Sequence, residues 1–175
     1  AIGFQDRIIS IQASETEKEF GRLTHIIERL LQLDIKKNTM LVVIGGGVVQ
    51  DISCFVSSIL FRGIKWVFIP TTMLSQVDSC IGSKSSINFT AVKNLVGTFY
   101  PPYEILICKD VLATLPLKDL YSGIGEILKV CIIDGHSGIS LFRERVGELE
   151  TPLEFSELTK YCLTVKKRYI EIDEF

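Results

Sequence analysis

Two periods of apolar and polar positions run along the first hundred residues. Arg7-Ile8-Ile9-Ser10-Ile11-Gln12 alternates and reads as a strand over 7–12. Over 15–33 the apolar residues Phe20, Leu23, Ile26, Ile27, Leu30 and Leu31 recur at helical spacing. Ser14 followed by Glu17 predicts a capping box at the start of that helix. A strand over 40–44, a helix over 48–61 and a strand over 64–69 complete a β-α-β-α-β order. Such an order predicts a parallel sheet with crossover helices. The stretch 75–100 has no strong period, and Glu104-Ile105-Leu106-Ile107 reads as one more strand. After Asp110 only helical patterns follow, over 110–114, 117–133, 137–146 and 153–172. A boundary near residue 109 is therefore expected, with an α/β domain over 1–109 and the beginning of a helical domain over 110–175.

The apolar strand Met40–Ile44 empties into Gly45-Gly46-Gly47-Val48-Val49-Gln50-Asp51. Glycine accepts positive φ and places no Cβ between backbone and ligand. A helix starting at such a turn directs free N–H groups and its positive dipole end at the loop, and phosphate is the usual occupant. The alternative is a turn that merely lets helix and sheet pack closely. Gln50 and Cys54 stand where further glycines would sit in a Gly-x-Gly-x-x-Gly pattern, so the motif alone leaves both readings open.

Composition narrows the class. With 175 residues, 47% apolar and 23% charged, the chain has room for one domain and part of another around a sizeable core. A net charge of −2 offers no basic surface for nucleic acid. The five cysteines, Cys54, Cys80, Cys108, Cys131 and Cys162, show no CxxC pair and fit a reducing cytoplasm better than secretion. No stretch reads as a signal peptide or a membrane span. The chain opens in mid-element and stops inside a helical pattern, as a piece of something longer would.

Thr71-Thr72 follows a strand end, where parallel sheets bind ligands, although threonine there is more often a helix cap. The long loop carries Gln76, Asp78, Ser79, Lys84, Ser85, Asn88, Lys93 and Asn94, donors and acceptors suited to a phosphorylated polyol or to a solvated loop. Glu126 lies three positions before Lys129 on one helix side, and spacing favours an ion pair over a metal ligand. His25 reads as a surface residue and His136 as part of a turn.

Taken in order, these pieces resemble the 3-dehydroquinate synthases of the sugar phosphate cyclase family, from about Ile8 to Glu174. The anchors are the Gly45–Asp51 stretch, Phe61-Arg62-Gly63, Pro70-Thr71-Thr72-Met73-Leu74-Ser75-Gln76-Val77-Asp78-Ser79 and Gly82-Ser83-Lys84. They continue through Ile87-Asn88, Lys93-Asn94, Phe99-Tyr100-x-Pro102, Leu112-x-Thr114-Leu115-Pro116 and Gly123-x-x-Glu126-x-x-Lys129.

The resemblance implies a Rossmann-like NAD-binding domain followed by the start of an all-helical domain. It implies a cytoplasmic lyase of aromatic amino acid biosynthesis, the shikimate pathway, that cyclises 3-deoxy-D-arabino-heptulosonate 7-phosphate to 3-dehydroquinate with loss of phosphate. NAD and one divalent metal, zinc or cobalt, would be its cofactors, and a homodimer its assembly, without nucleic acid or membrane partners. By position, Gly46, Gly47, Val48, Asp51, Thr71, Thr72, Leu74, Thr114 and Leu115 would contact NAD, with Glu15 and Lys18 at the adenosine side. Asp78, Lys84, Lys93, Asn94 and Lys129 would hold substrate hydroxyls and carboxylate, and Arg62 would reach the phosphate region. Lys166, in the helix before Asp173-Glu174, matches a substrate lysine, and Glu126 becomes a metal ligand, which reverses the reading from spacing.

Departures fall around both loops. The family usually has glycine at the positions of Gln50, Cys54 and Ser83, and Thr-Gly where this chain has Ser85-Ser86. Its other two metal ligands are histidines beyond residue 175, so one ligand of three is expected here, with negligible activity for residues 1–175 alone. A cyclase for sedoheptulose 7-phosphate or glucose 6-phosphate, an inactive NAD-binding fragment, and a metal-dependent alcohol dehydrogenase are the alternatives.

Overall fold

The computed structural model describes residues 5–146 and 155–172. They divide into two compact units, Ala1–Phe68 with Ser83–Glu104, and Ile69–Gly82 with Ile105–Phe175.

In the first unit the chain enters through Ile9 and Ile11, half-buried against the core, while Ile8 is 61% exposed. The alternation expected over 7–12 is thus present as burial. However, Arg7 ends a 3-10 turn, and residues 8–13 join no ladder among the described residues. The helix expected from residue 15 also begins later. Glu15–Lys18 and Phe20–Arg22 are separate 3-10 turns, and α1 is Leu23–Gln32. The break is at Glu19, whose extended backbone (φ −65°, ψ 128°) bridges to Asn88 and whose carboxylate accepts from the Thr90 N–H. Ser14 makes no capping bond to the backbone and meets the Thr16 hydroxyl instead. Tertiary contacts outweigh the local cap here.

Strand β1 (Met40–Gly45), helix α2 (Gly47–Ile59) and strand β2 (Lys65–Pro70) follow in the expected order. β1 and β2 are neighbours joined through a helix, hence parallel, and with β5 (Glu104–Ile105) they form a sheet of order β1-β2-β5. The strand expected over 104–107 stops after two residues. α2 is apolar on most sides: Ile52, Phe55 and Val56 pack with Leu23, Leu30, Ile64 and Ile87 in one cluster. The stretch expected to be structureless contains a hairpin, β3 (Ile87–Phe89) against β4 (Val92–Val96), antiparallel with a register shift. Its short strands, with polar residues and two positive-φ sites at Thr90 and Asn94, hide the period of two.

In the second unit, α3 is Met73–Val77 and a 3-10 helix covers Lys109–Thr114. Helices α4 (Leu117–Ile133), α5 (His136–Val146) and α6 (Ser156–Ile172) follow. Met73, Val77, Leu112, Ile127, Leu158 and Val165 are at most 1% exposed and share one core. Close packing of α3 on α4 depends on Gly123, where a Cβ would lie 2.2 Å from Met73 Cγ. Among the described residues no helix is long and apolar enough to cross a membrane.

Candidate functional site

Each unit carries its own share of the residues singled out from the sequence. In the first unit, β1 ends at Gly45, and Gly46, with extended backbone (φ −91°, ψ −166°), caps α2. None of the three glycines has positive φ, so left-handed geometry is not their purpose. What matters is the missing Cβ. At Gly45 it would strike the Val49 side chain at 2.7 Å, whereas at Gly47 nothing lies within 4 Å. Close packing therefore accounts for Gly45, while the first turn of the thirteen-residue helix is open at Gly47.

One helical turn further on, Asp51 Oδ1 accepts the Ser86 N–H at 3.0 Å and Oδ2 accepts the Ser86 hydroxyl at 2.9 Å. The Lys18 ammonium lies 2.9 Å from Oδ2 as well. Lys18, 6% exposed, also donates to Ser86 Oγ and to Asn94 Oδ1, each at 3.0 Å. An ammonium has three donors, and all three of these acceptors belong to the protein. The Asn94 N–H donates to Asn88 Oδ1 at 2.9 Å, and Asn88 Nδ2 donates to Glu15 Oε1 at 2.8 Å. Glu15, Lys18, Asp51 and Asn94, assigned by position to both cofactor and substrate, thus belong to one hydrogen-bonded network. Val48 is half-buried at the start of α2, Lys93 is exposed on β4, and Lys84 is exposed with its ammonium 5.7 Å from the Phe99 ring centre.

Arg62 is exposed in a turn where Phe61, Arg62 and Gly63 have φ of 49°, 58° and 106°. Two consecutive non-glycine residues at positive φ store strain. The Lys37 ammonium donates to the Phe61 carbonyl at 2.9 Å and to that of Gly63, and so holds the turn. Sequence reasoning missed Lys37 and the role of Ser86. Lys37 lies 24 residues from its partner and no periodicity connects them, while Ser86 is visible only as a departure from the family pattern.

In the second unit Thr72 caps α3: its hydroxyl accepts the Ser75 N–H at 3.2 Å, and Ser75 Oγ accepts the Thr72 N–H at 3.3 Å. Thr71 and Leu74 are half-buried beside it. Gln76, 1% exposed, donates to the Pro70 and Cys108 carbonyls at 3.0 and 2.9 Å and fixes α3 relative to the end of β2. Asp78, just past α3, is ion-paired with Lys166 of α6, which also donates to the Asp78 carbonyl. Glu126 and Lys129 of α4 form the ion pair that spacing favoured, with 16% of the glutamate side chain exposed. The hydrogen bond to Glu126, more than any other cause, raises the Lys129 pKa. Thr114 donates to the Val111 carbonyl at 3.0 Å, and Leu115 packs against the second core. Among the described residues no three His, Cys, Asp or Glu side chains come together to hold a metal ion. Glu126 alone would offer one carboxylate oxygen, so the described residues do not make a complete zinc or cobalt site. The His25 side chain is 84% exposed beside Glu28, and His136 opens α5. Asp173 and Glu174 lie outside the described residues.

Residues 8–122 match the family model described as 3-dehydroquinate synthase N-terminal. The 3-dehydroquinate synthase of Clostridium tetani is 38% identical over 91% of this chain and 43% of its own length. That of Pyrococcus furiosus is 36% identical over 97% and 50%. The chain spans about half the length of the curated relatives it matches. Among solved structures, a 2-deoxy-scyllo-inosose synthase complexed with carbaglucose-6-phosphate, NAD+ and Co2+ superposes with a TM-score of 0.77 at 26% identity, covering 91% of this chain and 45% of that one. The 2-epi-5-epi-valiolone synthase of Streptomyces hygroscopicus, with NAD+ and Zn2+ bound, gives 0.77 at 27%, covering 93% and 47%. A glycerol dehydrogenase from Schizosaccharomyces pombe, at 23% identity and a TM-score of 0.53, shares the fold, covering 71% of this chain and 29% of that one.

Proposed function

Because the chain belongs to the 3-dehydroquinate synthase family, we propose that it is the nucleotide-binding portion of a 3-dehydroquinate synthase. In this reading the longer enzyme cyclises 3-deoxy-D-arabino-heptulosonate 7-phosphate with release of phosphate, uses NAD and a divalent metal, and acts in the cytoplasm as a homodimer. The observation that carries the reading is the Gly47 opening at the start of α2, one turn before a carboxylate already oriented by three donors. The neighbours bound to NAD+ with Co2+ or Zn2+ support the cofactor assignment. The dehydrogenases share only the fold and lend no support to alcohol oxidation.

When bound, NAD supplies a hydride acceptor for a substrate hydroxyl. The chain's own residues bind and orient. In the first unit, the N–H groups at Gly46, Gly47 and Val48 would hold the pyrophosphate, and the remaining lone pair of Asp51 would accept a ribose hydroxyl. Glu15 and Lys18 stand behind that carboxylate, while Asn94, Lys84, Lys93 and Arg62 contribute to holding the phosphorylated substrate. In the second unit, Thr71, Thr72, Leu74, Thr114 and Leu115 are the positions that the family resemblance assigns to the nucleotide. The Asp78–Lys166 and Glu126–Lys129 pairs place opposite charges where a polyhydroxy acid needs both acceptors and donors. Glu126 would contribute one carboxylate ligand to the metal, which would polarise substrate oxygens.

Calorimetric titration of the purified chain with NAD and with zinc, beside a phosphate-release assay, tests this. NAD binding with no saturable zinc site and negligible phosphate release is expected. Joined to the complementary half of the Clostridium tetani relative, the chain should release phosphate from the heptulosonate phosphate. Release from sedoheptulose 7-phosphate or glucose 6-phosphate instead would move it to another cyclase, and absence of NAD binding would refute the reading.

A further inference from the structure

The Asp51 carboxylate is held by a residue outside the carried-over cofactor set. Ser86 gives it two bonds, backbone N–H to Oδ1 and hydroxyl to Oδ2, and it precedes β3 by one position, 35 residues from Asp51 in sequence. The same hydroxyl accepts from Lys18, so a relay runs Lys18 to Ser86 to Asp51. Each bond in such a chain polarises the next. Glycine, usual in the family at this position, has no hydroxyl to offer. We propose that Ser86 is a positioning residue of the nucleotide site: it fixes the plane of the Asp51 carboxylate so that its remaining lone pair, on Oδ1, faces a ribose hydroxyl, and it keeps Lys18 engaged inward.

A carboxylate accepts about four hydrogen bonds. The Ser86 N–H takes one place on Oδ1, the Ser86 hydroxyl and Lys18 take both on Oδ2, and one place remains on a side chain that is still 22% exposed. Without the hydroxyl, Asp51 keeps the Ser86 N–H on Oδ1 and the Lys18 contact on Oδ2 but loses the second of the two bonds that hold Oδ2. The ammonium of Lys18, deprived of one acceptor, then draws on the lone pair meant for the ligand. Affinity for any ligand with a cis-diol at Asp51 falls, while affinity for inorganic pyrophosphate, which has no diol, is unaffected.

This inference rests on the nucleotide reading proposed above. Its test is calorimetric titration of the chain and of Ser86→Ala and Ser86→Thr with NAD, ADP-ribose and pyrophosphate, with thermal melts alongside. Ser86→Ala should weaken NAD and ADP-ribose about threefold to tenfold, the factor of one hydrogen bond. It should leave pyrophosphate unchanged, and Ser86→Thr should restore the affinity. Equal NAD affinity of the chain and Ser86→Ala would overturn the positioning role and leave the nucleotide reading standing. Equal weakening of all three ligands together with a lowered melting temperature, unrescued by threonine, would overturn it as a purely structural effect. Absence of NAD binding by the unsubstituted chain would overturn both.

Discussion

The Lys18 ammonium lies 2.9 Å from Asp51 Oδ2, with 7% and 22% of the two side chains exposed. They come from separate elements of the first unit, a 3-10 turn before α1 and the first turns of α2. A charge so enclosed is tolerated only when every donor finds an acceptor, and Lys18 meets that condition through Asp51, Ser86 and Asn94. The pair therefore ties the glycine-loop helix to the hairpin that carries Asn94.

Removing the cation exposes how much the network matters. Lys18→Met should lower the unfolding free energy by about 2–4 kcal/mol, somewhat below the usual loss for a severed buried pair because Asp51 retains water and Ser86. Urea denaturation measures this. Combined with Asp51→Asn, the two losses should fall short of their sum, as expected of partners in one network. Full additivity would mean that the two residues act independently.

Gly123 and Gly125 stand two residues apart on α4 and should respond oppositely to alanine. At Gly123 the added Cβ meets Met73 Cγ at 2.2 Å and the Leu74 nitrogen at 3.0 Å, so overpacking costs about 1–3 kcal/mol. At Gly125 nothing lies within 4 Å, and alanine should stabilise by about 0.5–1 kcal/mol through helix propensity alone. Thermal melts of the two variants decide the matter.

The second unit should weaken in alkali. Burial pushes the Cys162 thiol up to about 12 and the Cys80 thiol up to about 11 from an ordinary 9.0. Burial, and then the hydrogen bond to Asp134, lifts Tyr161 to about 12. For groups raised on folding, the unfolded chain releases its protons first. The stability they contribute is complete below pH 9 and is lost as the pH climbs toward 12. Each thiol then removes up to about 1.4 kcal/mol per pH unit. Chemical denaturation from pH 7 to 11 should show this fall, with a shallower slope for Cys162→Ala. An unchanged slope in that variant would rule the thiol out.

How far the sequence disclosed the molecule depended on whether a feature was local. The long amphipathic or apolar runs Met40–Ile44, Val48–Ile59 and Leu117–Ile133 formed as their periods indicated, because burial of one continuous face dominates such segments. Thr72 capped α3 as its residue type suggests. Ser14 did not cap, because Glu19 is drawn into contact with Asn88 and Thr90 across the hairpin. β3 and β4 escaped notice since the polar Asn88 is buried, hydrogen-bonded to Glu15 and Asn94, while Val92 and Leu95 are exposed, inverting the usual pattern. For the candidate site, family motifs gave the residue identities. They did not disclose that Lys18 is bound entirely to protein acceptors, or that Asp78 and Lys166 meet from α3 and α6, since no spacing encodes a contact across 88 positions.

The most direct measurement is the calorimetric affinity of the chain for NAD, set beside that of Gly47→Leu. Nothing lies within 4 Å of a Cβ at Gly47, so the variant should fold and melt like the parent. Its leucine would occupy the space over the first turn of α2 where the pyrophosphate is expected. NAD binding by the parent and its loss in Gly47→Leu is the predicted result. Equal binding by both, or none by the parent, would contradict the assignment of the glycine turn as the nucleotide site.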